Sequence, residues 1–167
     1  MSVIIFWIEN SKCGRIGIMP RPRGGDWLED DISSLRDSGV HVVVSLLEKE
    51  EITELDLYLE QELCESRGLE YISFPIPDRS VPQSKQETAK LLDILTELSS
   101  KGRHIVIHCR QGIGRSSMIA AGILTGQGLT IEEAFDGITK ARGRPVPDTP
   151  EQREWIAEFI AGRVRAV

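Results

Sequence analysis

The sequence predicts an α/β fold: a single three-layer domain over residues 1–167, with a central, mainly parallel sheet flanked by helices. Three observations carry the prediction. Short apolar runs alternate with stretches whose apolar residues recur at helical spacing. The run Val40–Leu47 is β-branched and apolar on both faces, as a strand buried between two helical layers must be. The alternation then gives way to helices alone toward the C terminus, with no internal repeat, linker or low-complexity tract.

Taken in order, Val3–Ile8 is a short apolar strand, Asn10–Gly14 a turn and Arg15–Met19 its hairpin partner. The run Met19–Gly25 is a basic loop rich in Pro and Gly. Asp26 is placed to cap a helix, with Glu29 in the capping-box position. Leu28, Ile32 and Leu35 form the apolar stripe of that helix, and Gly39 ends it. After the strand Val40–Leu47, an acidic segment from Glu48 opens a helical stretch with Ile52, Leu55, Leu59 and Leu63 on one side. Arg67-Gly68 stops it. Leu69–Phe74 reads as the next strand. Pro75, Pro77 and Pro82 make the following segment irregular, because proline fixes the backbone and removes a donor. Ser84 starts a helix through Ser99, with Thr88, Leu91, Leu95 and Leu98 inward. His104–His108 is a further strand, followed by a glycine turn and a helix from Arg115 to Gly126. Thr130 and Glu133 form a capping box for a helix ending near Ala141, and Pro150 opens the last helix, which buries Trp155, Ile156, Phe159 and Ile160.

Composition narrows the function. Acidic residues number 26 against 20 basic, a formal charge of -6. That balance disfavours a nucleic-acid partner, which needs a broad basic face. No apolar run approaches the ~20 residues of a membrane span, and the start of the chain reads as a strand, not a signal peptide. The cysteines, Cys13, Cys64 and Cys109, are too few and too scattered for a disulfide framework, so a reducing, cytoplasmic setting is expected.

The chemistry concentrates in His108-Cys109-Arg110-Gln111-Gly112-Ile113-Gly114-Arg115-Ser116. This segment joins a buried strand to a helix, where open α/β sheets hold their ligands. Five residues, two of them glycine, separate Cys109 from Arg115. Such a loop can turn its backbone N–H groups toward one small anion, and the helix start adds further N–H donors and a positive end. Arg115 supplies a fork of donors to two anion oxygens. Together they fit a tetrahedral dianion held by Arg110, Gln111, Gly112, Ile113, Gly114 and Arg115. The same positive surroundings favour the thiolate of Cys109, which then faces the electrophile. Ser116 is placed to donate a hydrogen bond to that sulfur as it leaves, and His108 to orient the loop from behind. A nucleotide-binding loop fits poorly, because no Lys-Ser/Thr pair follows the second glycine. A zinc site lacks a second Cys/His pair.

This segment matches the H-C-x5-R-[ST] signature and resembles the cysteine-dependent protein phosphatases. Within them the chain resembles the dual-specificity branch and its small kinase-associated phosphatases. The likeness extends over most of the sequence: the loop before Asp26, the strand Gly39–Leu47, Asp78 in the proline-rich loop and Pro150–Gln152 at the last helix. It implies phosphate monoester hydrolysis through a phosphocysteine, without metal or other cofactor, at a site that phosphate, sulfate or vanadate can occupy. The substrate is a phosphorylated protein or a small phosphomonoester.

The departing oxygen needs a proton. Asp78, 31 residues before Cys109, lies in the loop after a neighbouring strand, and the resemblance gives it the role of general acid. Once deprotonated, Asp78 can serve as base toward water in the second step, with Gln152 orienting that water. Other carboxylates near enough to replace it as acid are Glu48, Glu50, Glu51 and Asp148. Several arginines have two readings each. Arg21 and Arg23 either attract a phosphorylated partner or face solvent. Arg79, with Ser80, either touches substrate and braces its loop or is solvated. Arg142 or Arg144 either braces the catalytic loop or lies on the surface. Gln111 and Ile113 stand where phosphatases of inositol lipids tend to carry lysine. A chain this compact should have a shallow pocket, admitting phosphoserine and phosphothreonine as well as phosphotyrosine. Inositol-phosphate, lipid or other small-molecule phosphatase activity is the alternative. Arsenate reduction, sulfur transfer and a binding-only pseudophosphatase rank lower, because Cys109, Arg115 and Asp78 are all present and no redox cysteine adjoins Cys109.

Overall fold

The computed structural model describes residues 3–9 and 13–165. Its strands are β1 (Phe6–Ile8), β2 (Ile16–Pro20), β3 (Val42–Ser45), β4 (Glu70–Ser73) and β5 (Ile105–Cys109). They form one sheet in the order β1-β2-β5-β3-β4. β1 is an antiparallel edge strand, and the other four run parallel. The predicted hairpin is therefore present, although most of its turn at 10–14, like Met1 and Ser2, lies outside the described residues.

Among the described residues, seven helices cover the two faces: α1 (Leu28–Asp37), α2 (Lys49–Glu54), α3 (Glu60–Ser66), α4 (Lys85–Ser100), α5 (Arg115–Gly126), α6 (Ile131–Arg142) and α7 (Pro150–Arg165). Strand alternation divides the core between the faces. Val42, Val44, Ile105 and Ile107 pack with Leu92, Met118, Phe135 and Ile156 from α4 to α7. Val43 and Val106 point the other way, onto Ile32 and Leu35 of α1 and Cys64 of α3. β3 and β5 are consequently buried on both sides, as their unbroken β-branched runs require.

Two local expectations are corrected. Asp26 does not cap α1; it sits in a 3₁₀ turn, Gly25–Trp27, and the helix starts at Leu28 without a side-chain cap. Gly24 and Gly25 press this loop against the chain beyond α2. Gly25 donates to Asp56 O at 3.0 Å, and a Cβ on Gly24 would lie 1.9 Å from Leu55 O. The helical stretch after Glu48 is also broken. Asp56 takes a left-handed backbone (φ 54°), Leu57 donates to Ile52 O at 2.9 Å, and α3 restarts at Glu60. The inward residues after the break are Leu57, Glu60 and Cys64, while Leu59 is 42% exposed. The apolar spacing that runs through Leu59 hides the break.

The remaining elements follow their local signals. Ser84 accepts the Glu87 N–H at 3.1 Å at the start of α4, and Thr130 and Glu133 close a reciprocal box on α6. Parallel register aligns Pro20 with Cys109 and Ser45 with both His108 and Ser73. The loops that follow β2, β3, β4 and β5 thus meet at one edge of the sheet.

Candidate active site

The loop from Cys109 to Arg115 closes at this edge, between β5 and the first turn of α5. Cys109 points to the α5 side and is 3% exposed. Its sulfur lies 3.3 Å from the Gly112 N–H and 3.5 Å from Ser116 Oγ. Gly112 has φ 70°, and a Cβ there would stand 2.5 Å from the Met19 backbone. Only glycine satisfies both the left-handed turn and the close passage beneath β2.

Arg115 is 2% exposed and fully engaged. Its guanidinium forks onto Glu51 at 2.8 and 2.9 Å, donates to Ile76 O at 2.9 Å and Leu46 O at 3.4 Å, and meets Asp78 Oδ1 at 2.9 Å. Burial opposes its charge, but the hydrogen bonds to Glu51 and the fields of Cys109, Glu51 and Asp78 outweigh burial and push its pKa up. Burial likewise works against the Glu51 carboxylate. Hydrogen bonds from Arg115, the Glu48 N–H and Arg110 prevail and hold it below the ordinary value of 4.5. Glu51 is therefore the partner that fixes Arg115, not a proton donor at the mouth. A faint signal was available: it is an acidic residue shortly after a strand that neighbours β5.

His108 points to the opposite face, where its Nε2 lies 2.6 Å from Glu60 Oε1. Both side chains are buried, at 0% and 1% exposure. This pair sits at the end of β5 behind the loop, and Glu60 gave no signal in the apolar pattern. Arg142 reaches over from α6, donating to Gly112 O at 3.0 Å and Gln111 O at 3.3 Å, with its guanidinium 4.2 Å above Phe6. Arg142 thus braces the loop, while Arg144 is exposed.

The candidate binding residues divide by what they offer. Ile113 turns its side chain into the core at 3% exposure, so it and the glycines present backbone only. Arg110 is drawn sideways to Glu51 and Glu54, at 3.4 and 3.2 Å. Arg21 places the early loop beside the site by donating its N–H to Arg110 O at 3.3 Å, whereas Arg23 holds the buried Asp31 of α1 at 2.6 Å. Asp78, Arg79, Cys109, Arg110, Gln111, Arg115 and Asp148 surround a cavity of about 50 Å³. Gln152 is fully buried and does not line it. Its Nε2 donates to Ser80 O at 3.0 Å and its Oε1 accepts the Thr149 N–H at 3.2 Å, tying the Asp78 loop to the start of α7. Cys13 is exposed, and Cys64 is a buried core thiol whose pKa burial pushes up to about 12.

The chain is similar to several known proteins. Curated relatives include cyclin-dependent kinase inhibitor 3 of Rattus norvegicus, 26% identical over 137 residues, and of Homo sapiens, 25% identical over 134 residues. Each match covers 79% of this chain and 63% of the relative, so the chain spans somewhat under two-thirds of their length. The crystal structure of kinase associated phosphatase, with its catalytic cysteine replaced by serine, superposes with TM-score 0.86 at 20% identity. That match covers 100% of this chain and 98% of the other. Tk-PTP in its active form gives TM-score 0.73 at 28% identity, over 89% and 92% of the two chains. PTPMT1 in complex with PI(5)P gives 0.73 at 21% identity, over 91% and 94%. A family profile described as "Polymorphic toxin system, DSP-PTPase phosphatase" matches residues 17–128, from β2 through the cysteine loop and α5. A match over two-thirds of the sequence that contains the whole cysteine loop settles the family: this chain belongs to the DSP-PTPase phosphatases.

Proposed function

We propose that the chain hydrolyses phosphate monoesters without a metal ion, through a phosphocysteine, and that its substrates are phosphotyrosine and phosphoserine/threonine in proteins. The observation that carries this reading is the single cavity shared by Cys109, Arg115 and Asp78. Arg115 and the loop N–H groups supply fixed positive charge where phosphoryl charge spreads in the transition state. The Cys109 thiolate attacks phosphorus, the P–O bond breaks, and Asp78 gives its proton to the leaving oxygen. Substrate binding draws Arg115 toward the phosphoryl oxygens, which frees Asp78 from its ion pair. Ser116 stabilises the sulfur when water later displaces it.

Cavity size supports the breadth of substrate. The cavity is small, about 50 Å³. A phosphoryl group fills it, and whatever carries the phosphate stays at the mouth, where serine, threonine and tyrosine are treated alike. The PI(5)P complex of PTPMT1 motivates a lipid reading on the same scaffold. Gln111 and Ile113 are not basic and Arg110 is engaged by carboxylates, so the protein reading is preferred. A reducing, cytoplasmic location suits a site that depends on a thiol. The test is a turnover panel of phosphotyrosyl, phosphoseryl and phosphothreonyl peptides against inositol phosphates and phosphoinositide vesicles, with and without EDTA. Higher kcat/KM on all three peptides, unaffected by EDTA, is expected. Preference for the inositol compounds, or a need for added metal, would contradict the reading.

A further inference from the structure

The wall of the phosphate cavity carries three arginines, Arg79, Arg110 and Arg115, and two aspartates, Asp78 and Asp148. Two of the arginines are already matched. Arg115 holds Glu51 and Asp78, and Arg110 is drawn to Glu51 and Glu54. Arg79 is exposed and has no hydrogen bond or ion pair among the described residues. A dianion that enters this cavity meets the Cys109 thiolate and the Asp148 carboxylate, and both repel it. Arg79 is the cation on the same wall whose charge is not yet spent on a carboxylate of the chain. Its backbone is held there at a cost. Ser80 donates its N–H to Pro77 O at 3.0 Å, which closes a turn with Arg79 at the third position and φ 57°. Positive φ at that position favours glycine or asparagine, and a long side chain there is strained. The turn is also pinned from outside, because Gln152 donates to Ser80 O at 3.0 Å. Backbone strain that the surroundings enforce is concentrated at functional loops.

The geometry points to Arg79 as a second phosphoryl-binding arginine, whose guanidinium takes the outward-facing oxygens while Arg115 and the loop N–H groups hold the inner ones. This role rests on the phosphatase reading above, and it concerns the phosphate itself, not the chain that carries it. Arg115 gives up Asp78 to receive the phosphoryl group, whereas Arg79 has no such partner to release. Two adjacent residues thus divide the work. Asp78 serves the oxygen that leaves, and Arg79 the oxygens that stay on phosphorus. Negative charge spreads over those oxygens in the transition state, where a fixed guanidinium stabilises it most.

The experiment measures Arg79→Ala, Arg79→Lys and Arg79→Gly with an aryl phosphate whose phenol is strongly acidic, and the inhibition of each by inorganic phosphate. This substrate needs little help from Asp78, so a misplaced acid does not register. Expected in Arg79→Ala is a loss of kcat/KM of roughly 10–100-fold, with phosphate inhibition weakened at least about fivefold. Arg79→Lys keeps the charge without the fork and should recover part of both. Arg79→Gly relieves the turn, so it should melt no lower than wild type and yet lose as much activity as Arg79→Ala. Aryl phosphate kinetics and phosphate inhibition within about twofold of wild type in Arg79→Ala would overturn the proposal. That includes the case where only peptides with an acidic neighbour lose rate and Arg79 reads the flanking chain. Near-normal activity in Arg79→Gly would overturn it too, by showing that the backbone and not the guanidinium matters. So would a loss confined to phenols of high pKa, which would trace the effect to Asp78. Failure of the phosphatase reading itself looks different: wild type would then show neither turnover nor phosphate on Cys109.

Discussion

Glu51 decides where the Arg115 charge sits. A buried arginine without its carboxylate is an uncompensated charge, and removing one partner of such a pair costs ~3–5 kcal/mol. Glu51→Gln keeps the size and one acceptor but loses the fork, so it should lower the melting temperature and cut kcat/KM by at least about tenfold. Melting curves and steady-state rates check both. The sign with pH follows from the direction of the shift. Glu51 is held below its ordinary 4.5 in the fold, so its contribution is complete above that value and fades as pH falls through the folded pKa. Wild type should therefore lose stability below about pH 4.5 faster than Glu51→Gln does, measured by melting across the acid range. Asp78 gives the second test at this scale. Asp78→Asn cannot donate a proton, so the loss should be roughly 10²–10⁴-fold for an alkyl phosphate and much smaller for an acidic phenol. Equal fractional losses across phenols of different acidity would assign the proton to another group. The residues legible in the sequence, Cys109, Arg115 and Ser116, share one loop whose spacing is itself the signal. Glu51, Glu60 and Arg142 reach that loop from 64, 48 and 30 positions away respectively, and only the fold brings them there.

Elements position these side chains by ending together. β5 carries Cys109 and β3 leads through Leu46 to α2 and Glu51. β4 leads to the Asp78 loop, which Gln152 fastens to α7. The tightest junction is the passage of Gly112 beneath the end of β2. Gly112→Ala places a Cβ about 2.5 Å from the Met19 backbone and forces a side chain into a left-handed turn. The cysteine loop must then move, so activity should fall to background while far-ultraviolet circular dichroism stays close to wild type. Near-normal kcat/KM in this variant would contradict the described packing. Element boundaries were readable where a cap or glycine marks them, as at Ser84, Thr130 and Gly126. They were not readable where tertiary contact overrides periodicity. Asp26 looks like a cap until backbone contact with Leu55 and Asp56 imposes a 3₁₀ turn, and the α2–α3 break is invisible because Leu59 keeps helical spacing while facing solvent.

At the scale of the molecule, the parallel sheet explains both the fold and the site. Parallel strands of which β2, β5 and β3 are buried on two faces demand helices on both sides, and they deliver their following loops to one edge. This much follows from β-branched runs alternating with amphipathic stretches, which is why the fold class was legible from the sequence. The strand order β1-β2-β5-β3-β4 was not, since pairing partners leave no mark on local pattern. That order is what matters chemically, because it sets β5 between β2 and β3 and surrounds its loop with Arg21, Glu51 and Asp78. The proposed chemistry turns on what happens at the sulfur in the centre of that edge. The most direct measurement is rapid quench of wild type during turnover of a phosphorylated peptide, followed by mapping of the phosphate by mass spectrometry, with Cys109→Ser in parallel. Phosphate on Cys109 of wild type, with neither phosphate nor turnover in a folded Cys109→Ser, is the predicted result. Turnover by Cys109→Ser within tenfold of wild type, or phosphate trapped on another residue, would contradict it.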